Sequence, residues 1–330
     1  MLVTSLLFLL SITIILGGAA VFTNGVEWLG RRLGISDGAI GSILAGIATA
    51  LPETLIPVIA IFAGTGETES QIGIGAILGA PMMLSTLMIP LLAGFLLVLV
   101  RMRRRAGKFE LDYSSVRLDL RFFLMAYGIA LAVALMPLKS LRFVAGGALI
   151  LIYAWYVKIH LTSGEVNEMQ IAPLFFSRRR APPATAAIVI QALVGLGLMI
   201  AGAHIFVHVI KDTAVGFGIS PLVLALVIAP VATELPEAMN SFFWVYQKKD
   251  ALAVGNITGA MVFQATFPVS IGLVGTPWTL NMSSLISLIL PLLAATLFLA
   301  LTHSSGRWQP RVLILPIFLY AGYMVYVFLR

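Results

Sequence analysis

The sequence predicts an all-α polytopic membrane protein, with ten transmembrane helices arranged as two inverted five-helix repeats. Three observations carry that prediction. The 330-residue chain is 60% hydrophobic and only 11% charged, and its mean hydropathy is +1.02. Apolar runs of about 20 residues, the length of α-helix that crosses roughly 30 Å of hydrocarbon, recur from end to end. The first half of the chain also returns in the second half at a constant offset. A β-barrel would show short alternating strands instead.

The runs and their breaks place spans near 2–26, 38–63, 71–100, 118–138, 141–160, 185–210, 219–247, 250–275, 281–302 and 311–329. The first run, Leu2 to Phe22, has no basic leader, and its copy lies inside the chain, so it reads as a mature helix and not a cleaved signal. The third is long enough to conceal a kink at Pro81 or Pro90. Cysteine is absent, which excludes a disulfide framework, thiol chemistry and a cysteine metal site. The net charge of +7 does not imply nucleic acid, because the basic residues sit between apolar runs, as topology determinants do. All but Lys139, Arg142, Lys211 and Arg330 of the 21 Lys and Arg fall after odd-numbered spans. Positive charge marks the cytoplasmic side, so both termini are expected outside an inner or plasma membrane.

The repeat fixes the organisation. At an offset of 184 residues, "GGAAVFTN" (17–24) lies over "AGAHIFVH" (201–208), "GIS" (34–36) over "GIS" (218–220), and "LPE" (51–53) over "LPE" (235–237). After a four-residue adjustment "IGAILGA" (74–80) meets "VGNITGA" (254–260). With five spans per half, the second half must enter the membrane from the opposite side, the architecture of secondary transporters whose site lies at the midplane. The first repeat is expected over 1–160, a basic cytoplasmic linker over 161–184 and the second repeat over 185–330.

Three carboxylates lie deep in the expected spans: Glu53, Glu234 and Glu237. Each costs about 2.5–3.5 kcal/mol at a helix centre, so together they cost on the order of 8–10 kcal/mol unless cations, protons or water meet them. Thr49 and Glu53 are four residues apart and share a helix face, as do Thr233 and Glu237, and Glu234 joins the second face. Pro52 and Pro236 remove a backbone donor and release carbonyls near Ala48 and Ala232. Carboxylates, hydroxyls and released carbonyls make an all-oxygen lining, which suits a hard cation such as Ca²⁺. One transmembrane Pro-Glu alone reads as a kink with a neutral acid; two at repeat-related positions point to a site.

These repeats resemble the α-repeats of the cation/Ca²⁺ exchanger superfamily, the sodium/calcium exchangers and their relatives. That family carries Thr-Ser-Leu-Pro-Glu on one helix of each repeat and Gly-Asn-x-x-Gly-Ser-Asn on the next. Here the matching stretches are "TALPE" (49–53), "TELPE" (233–237), "GAILGAPMML" (75–84) and "GNITGAMVFQ" (255–264). The resemblance covers almost the whole chain. It implies that Thr49, Glu53, Thr233, Glu237 and Asn256 coordinate ions, and that spans 1 and 6 slide against spans 2, 3, 7 and 8. The chain departs from the family at Ala50, Glu234, Ala80, Ala260, Leu84 and Gln264, where serines, amides or acids help build the family's sodium sites.

The reading is therefore a secondary antiporter and not an enzyme, with no cofactor. It exchanges a divalent cation, Ca²⁺ first, against Na⁺ or H⁺. Its partners are small cations and membrane lipid, with no nucleic acid or protein partner implied, and a monomer suffices. Glu234, a third carboxylate, is a ligand or a proton-exchanging acid, and Gln264 faces the site from span 8 together with Thr258. A monovalent cation/proton exchanger is the alternative on the same fold. A membrane-embedded enzyme fits less well, because "HIFVH" (204–208) lacks the glutamate of a metalloprotease motif. Secondary candidates are His204 and His208 as a proton relay, Asn240 orienting Glu237, and Ser85 as an extra oxygen. Gly73, Gly75, Gly79, Gly255 and Gly259 read as close helix contacts, and Glu67 and Glu69 as a solvated outer loop.

Overall fold

The computed structural model describes residues 2–33, 50–64, 66–105, 108–136, 138–163, 172–177, 183–304 and 308–329. Ten helices, and a single 3-10 turn at Phe175–Ser177, run through them in chain order. The helices are α1 (Leu2–Arg32), α2 (Leu51–Ala63), α3 (Glu67–Arg101), α4 (Tyr113–Leu135) and α5 (Lys139–Ser163). After the linker come α6 (Thr185–Phe217), α7 (Pro221–Tyr246), α8 (Asp250–Gly275), α9 (Met282–Ser304) and α10, which runs as Pro310–Leu313 and then Pro316–Phe328. No strand occurs among the described residues. That is what hydrocarbon imposes, because every backbone polar group must be satisfied within its own segment. Eight of the helices are long and apolar enough to cross a membrane, alongside the shorter apolar stretches Leu51–Ala63 and Pro221–Val231. The expected second span falls at 38–63, of which 38–49 lie outside the described residues.

Prolines and caps explain the local breaks. Pro57 cannot donate inside α2, and the helix widens to a π-turn over Ile59–Ala63. The long third helix carries a second π-turn, Leu84–Met88, between Pro81 and Pro90, where the sequence suggested a kink. Asp112 caps α4: its carboxylate accepts from the Ser114 amide at 3.0 Å and from the Ser114 hydroxyl at 2.5 Å. The hydroxyl bond is the main reason its carboxyl is held below the usual aspartate pKa range. Gly218, in the left-handed region at φ 64°, stops α6 just before Pro221 opens α7.

The helix pairings show the repeat in three dimensions. α1 packs along α6 and α4 along α9; α3 packs on α7 as α8 does on α2. The pair α5–α8 has its counterpart in α10–α3, and α4–α5 in α9–α10. Each pairing maps onto another when an element is exchanged for the one five places away. The middle belongs to α8 and α3, with 72% and 61% of their apolar windows buried, against 17% for α1. One large apolar cluster joins α3, α4, α5, α7, α8, α9 and α10. A separate smaller one, with Ile15, Ile56, Ala76, Ala203, Phe206, Ala225 and Ala229, seats the α1–α6 pair on α2, α3 and α7.

Small residues set the closest crossings, because in lipid it is packing, not hydrophobic expulsion, that holds helices together. A Cβ on Gly79 of α3 would overlap the Leu226 carbonyl of α7 and come within 2.7 Å of Pro230 Cγ. Gly195 meets the Phe22 backbone in the same way where α6 crosses α1. Gly79→Ala is therefore expected to cost about 1–3 kcal/mol by overpacking. The detergent-solubilised protein should unfold several degrees earlier. Gly94→Ala, with open space around its Cβ, should match or exceed the wild type. Equal midpoints for the two variants would show that α3 and α7 do not touch at Gly79. Gly73 and Gly75 make similar close approaches, whereas Gly255 and Gly259 meet no backbone among the described residues.

Candidate cation site

Each of the two motif helices holds one acid at an enclosed position. Glu53 sits in the first turn of α2 and is 6% exposed, and Glu234, near the middle of α7, is fully buried. Gln264, near the middle of α8 and 2% exposed, donates its amide Nε2 to Glu234 Oε1 across the α7–α8 contact. Its own carbonyl oxygen, Gln264 Oε1, is buried with no hydrogen-bond partner among the described residues. A carboxylate, an amide donor and an unengaged carbonyl oxygen thus meet at mid-helix depth, where water cannot easily stand in for a missing partner.

Buried hydroxyls of α2, α3 and α7 share one geometry. Thr233 Oγ1, 3% exposed, donates to the Ala229 carbonyl at 3.1 Å, and Thr54 Oγ1 donates to Ala50 at 3.0 Å. Ser85 Oγ donates to Pro81 at 2.7 Å and Thr86 Oγ1 to Met82 at 2.5 Å, both at the π-turn of α3. A hydroxyl whose proton goes back to its own helix keeps its lone pairs for another acceptor-seeking group. Thr233 can thus offer an oxygen to a cation without surrendering a backbone bond.

Other residues named from the sequence fall elsewhere. Asn256 is half-buried on α8, and its Nδ2 reaches Ser241 Oγ of α7 at 3.4 Å; the serine in turn donates to Ala253 at 3.2 Å. Eight residues separate it from Gln264, about 12 Å along a helix axis. Asn256 and the Glu234–Gln264 pair are therefore separate polar groups. Glu237 and Ala232 lie in α7, with side chains outside the described residues, as is that of Asn240. Thr49 and Ala48 lie outside the described residues altogether. Among the described residues no three His, Cys, Asp or Glu side chains cluster as metal ligands.

Several secondary readings are corrected. Thr258 does not turn toward α7: its hydroxyl donates to Asp119 Oδ2 of α4 at 2.6 Å, on the opposite flank of α8. His204 and His208 are exposed on the outer face of α6, His204 Nδ1 lying 3.1 Å from the Ile200 carbonyl, so they form no buried relay. Glu69 is not a solvated loop residue. It is buried in the first turn of α3, with Lys211 Nζ of α6 at 2.5 Å from its Oε1. Glu53 and Glu234 are also not the only enclosed carboxylates among the described residues. Asp250, 1% exposed, takes a two-pronged bond from Arg105, at 3.0 Å and 2.6 Å, and another from the Glu110 amide at 2.9 Å.

Asp119 is the residue that the sequence reading passed over. It is 2% exposed, accepts from Tyr156 Oη at 3.0 Å as well as from Thr258, and has His160 Nε2 3.5 Å away. The signal was present in its spacing. Val116, Asp119, Leu120, Phe123 and Tyr127 recur at helical intervals and are all buried, so the acid stands on the inward stripe of α4.

The family model described as sodium/calcium exchanger protein matches residues 3–162 and 187–329. A protein of Alkalimonas amylolytica named antiporter CaxA is 24% identical over 303 residues, covering 91% of this chain and 90% of that protein. The crystal structure of the H⁺/Ca²⁺ exchanger CAX superposes with a TM-score of 0.77 at 16% identity, over 99% of this chain and 86% of that one. The sodium-calcium exchanger NCX_Mj gives 0.61 at 18% identity, over 98% of both. The structural likenesses establish the fold, two inverted five-helix repeats.

Proposed function

The chain belongs to the sodium/calcium exchanger protein family, and on that premise we propose that it is a secondary antiporter carrying Ca²⁺ against H⁺, with Na⁺ the competing choice of driving ion. The observation that carries this reading is the burial of Glu53 and Glu234 on α2 and α7, the two helices that the repeat relates. Acids enclosed at that depth call for a cation, a proton or both. The names of the structural relatives, exchangers of Ca²⁺ against H⁺ or Na⁺, agree with Ca²⁺ as cargo.

In this proposal Glu53 and Glu237 are the main ligands, and oxygens from Thr49, Thr233, Ala48 and Ala232 complete the shell; Gln264 borders it through Glu234, and Asn256, a turn or more away, acts through Ser241 on the path to it. Glu234 carries the coupling proton. Three carboxylates hold one negative charge more than a divalent cation balances, and a proton offsets the excess. The family's sodium-site oxygens are missing at Ala80, 4% exposed, and Leu84, 1% exposed, which argues for the proton over sodium. The small alanine-rich seat of the α1–α6 pair supports movement of that pair against the remaining helices as the alternating-access step.

The remaining assignments follow the same reading. The break in the family match between residues 162 and 187 supports repeats over 1–160 and 185–330 with a linker between them. The charge pattern supports a plasma- or inner-membrane protein with both termini outside, acting as a transporter and not an enzyme, with a monomer sufficient.

The test is ⁴⁵Ca²⁺ uptake by purified protein in liposomes. Flux is expected with an outward proton gradient, the lumen acidic, and no sodium. Uptake appearing only with a sodium gradient would transfer the coupling to Na⁺, and no uptake in either gradient would remove Ca²⁺ as the cargo.

A further inference from the structure

Three helices of this chain end in the same hydrogen-bonded turn, and two of them use the wrong residue for it. In each, a residue at the helix end adopts the left-handed conformation, and the next amide reaches back to the carbonyl five residues earlier. After α6 the left-handed residue is Gly218, at φ 64°, with the Ile219 amide on Ala214 at 3.0 Å. After α3 it is Arg103, at φ 57°, with the Arg104 amide on Leu99 at 2.9 Å. After α7 it is Lys248, at φ 64°, with the Lys249 amide on Trp244 at 2.8 Å. Glycine holds this conformation without strain, whereas a residue with a Cβ does not. A long basic side chain at both positions is a cost that the backbone does not explain.

The two turns lie side by side. Arg103 and Lys248, with Arg104, Arg105 and Glu110, line an open pocket of about 230 Å³ on the face that the charge pattern marks as cytoplasmic. The buried acid nearby, Asp250, is already committed to Arg105 and the Glu110 amide, which leaves the exposed Glu110 carboxylate as the one negative group among the lining residues, against three arginines and a lysine. Arg104 is within 3.4 Å of Tyr246 Oη. Among the described residues neither Arg103 nor Lys248 has a side-chain hydrogen bond or ion pair. Tyr246, 52% exposed, lines the adjoining cavity with Leu99, Arg104 and Arg105, and Val98, Met102 and Phe243 at the ends of α3 and α7 are 53–59% exposed. A basic mouth thus opens above an exposed apolar wall.

We propose that this pocket binds the phosphodiester headgroup of an anionic membrane phospholipid, with Arg103 and Lys248 on the phosphate and the acyl chains along Val98 and Phe243. Basic pockets between helix ends on the cytoplasmic side have the charge and position for such headgroups. The strained turns project the two bases into the pocket from two helices. The bound lipid ties the end of α3 to the end of α7, the same two helices whose backbones cross at Gly79.

The test uses the full-length protein in detergent, titrated with phosphatidylglycerol, phosphatidylcholine or inorganic phosphate and read by native mass spectrometry. The variant is Arg103→Gly with Lys248→Gly, in which glycine preserves both turns, so that folding is not at risk. Each basic group near an anionic headgroup is worth roughly fivefold in affinity, and the pair roughly thirtyfold. Phosphatidylglycerol binding should weaken by about that factor in the double glycine variant. It should stay within about threefold of wild type in Arg31→Gln with Arg32→Gln, a control with the same charge loss on the same face. Unchanged affinity in the glycine variant would overturn the site, as would phosphatidylcholine binding as tightly as phosphatidylglycerol. Inorganic phosphate bound where phosphatidylglycerol is not would overturn the lipid and leave a free-anion pocket.

Discussion

Glu53→Gln is expected to reduce Ca²⁺ exchange in proteoliposomes by about a hundredfold or more, and Glu237→Gln to do the same. The amide is isosteric but neutral, and a dehydrated divalent cation in an oxygen shell depends on ligand charge. A hundredfold loss corresponds to about 2.7 kcal/mol at the rate-determining barrier, within reach of one charged ligand. The stability prediction has the opposite sign. Without bound cation a buried carboxylate is a burden of about 2.5–3.5 kcal/mol at a helix centre, and Glu53 is 6% exposed. The Glu53→Gln protein should therefore unfold at the same temperature as wild type or higher when cations are chelated. It should also lose most of the stabilisation that Ca²⁺ gives the wild type, since a ligand stabilises only in proportion to its binding. Flux within threefold of wild type, or an undiminished Ca²⁺-dependent shift, would remove Glu53 from the site.

The second large effect concerns the driving ion. Glu234→Gln should lower pH-gradient-driven Ca²⁺ uptake, measured without sodium, at least tenfold, and should flatten its dependence on external pH. Equilibrium Ca²⁺ binding should change less, because Glu53 and Glu237 remain. Glu234 is fully buried on α7, and its carboxylate takes the Gln264 amide. A protonatable group there can alternate between compensating the other two acids and yielding to a divalent cation. A glutamine keeps the shape of the side chain but cannot take up and release the proton. Gln264→Leu should show a milder form of the same loss, since it leaves the carboxylate in place without its donor. Proton-driven uptake undiminished in Glu234→Gln would assign the proton to another group. Asp119, with its Tyr156, Thr258 and His160 neighbours, would then be the next to test.

The pattern of legible and hidden features has a physical basis. Hydropathy marked the helices because a lipid environment leaves the backbone one economical choice, and the observed bounds follow the apolar runs closely, as in α8, Asp250–Gly275. The π-turn at Leu84–Met88 was foreshadowed by the prolines on either side, since each removes a donor. The acids Glu53 and Glu234 stood out because charge in an apolar run is costly wherever the helix is placed. Asp119 was passed over for the converse reason. Near the start of an apolar run an acid reads as interfacial, and only the packing of α4 against α5 and α8 encloses it. Glu69 was misread in the same way, its partner Lys211 lying 142 residues later in the chain.

The sequence by itself determined the membrane class, the ten-span inverted repeat and the two motif helices. All of these depend on local composition and on comparing the chain with itself. The tertiary structure alone decided which faces meet: α1 along α6, α3 against α7 at Gly79, Gln264 on Glu234, Thr258 turned away to Asp119, and Arg103 beside Lys248. Hydropathy sets how far a helix extends through the bilayer, but it says little about rotation about the helix axis. That rotation is fixed by contacts between residues more than a hundred positions apart, through small-residue crossings and buried polar pairs.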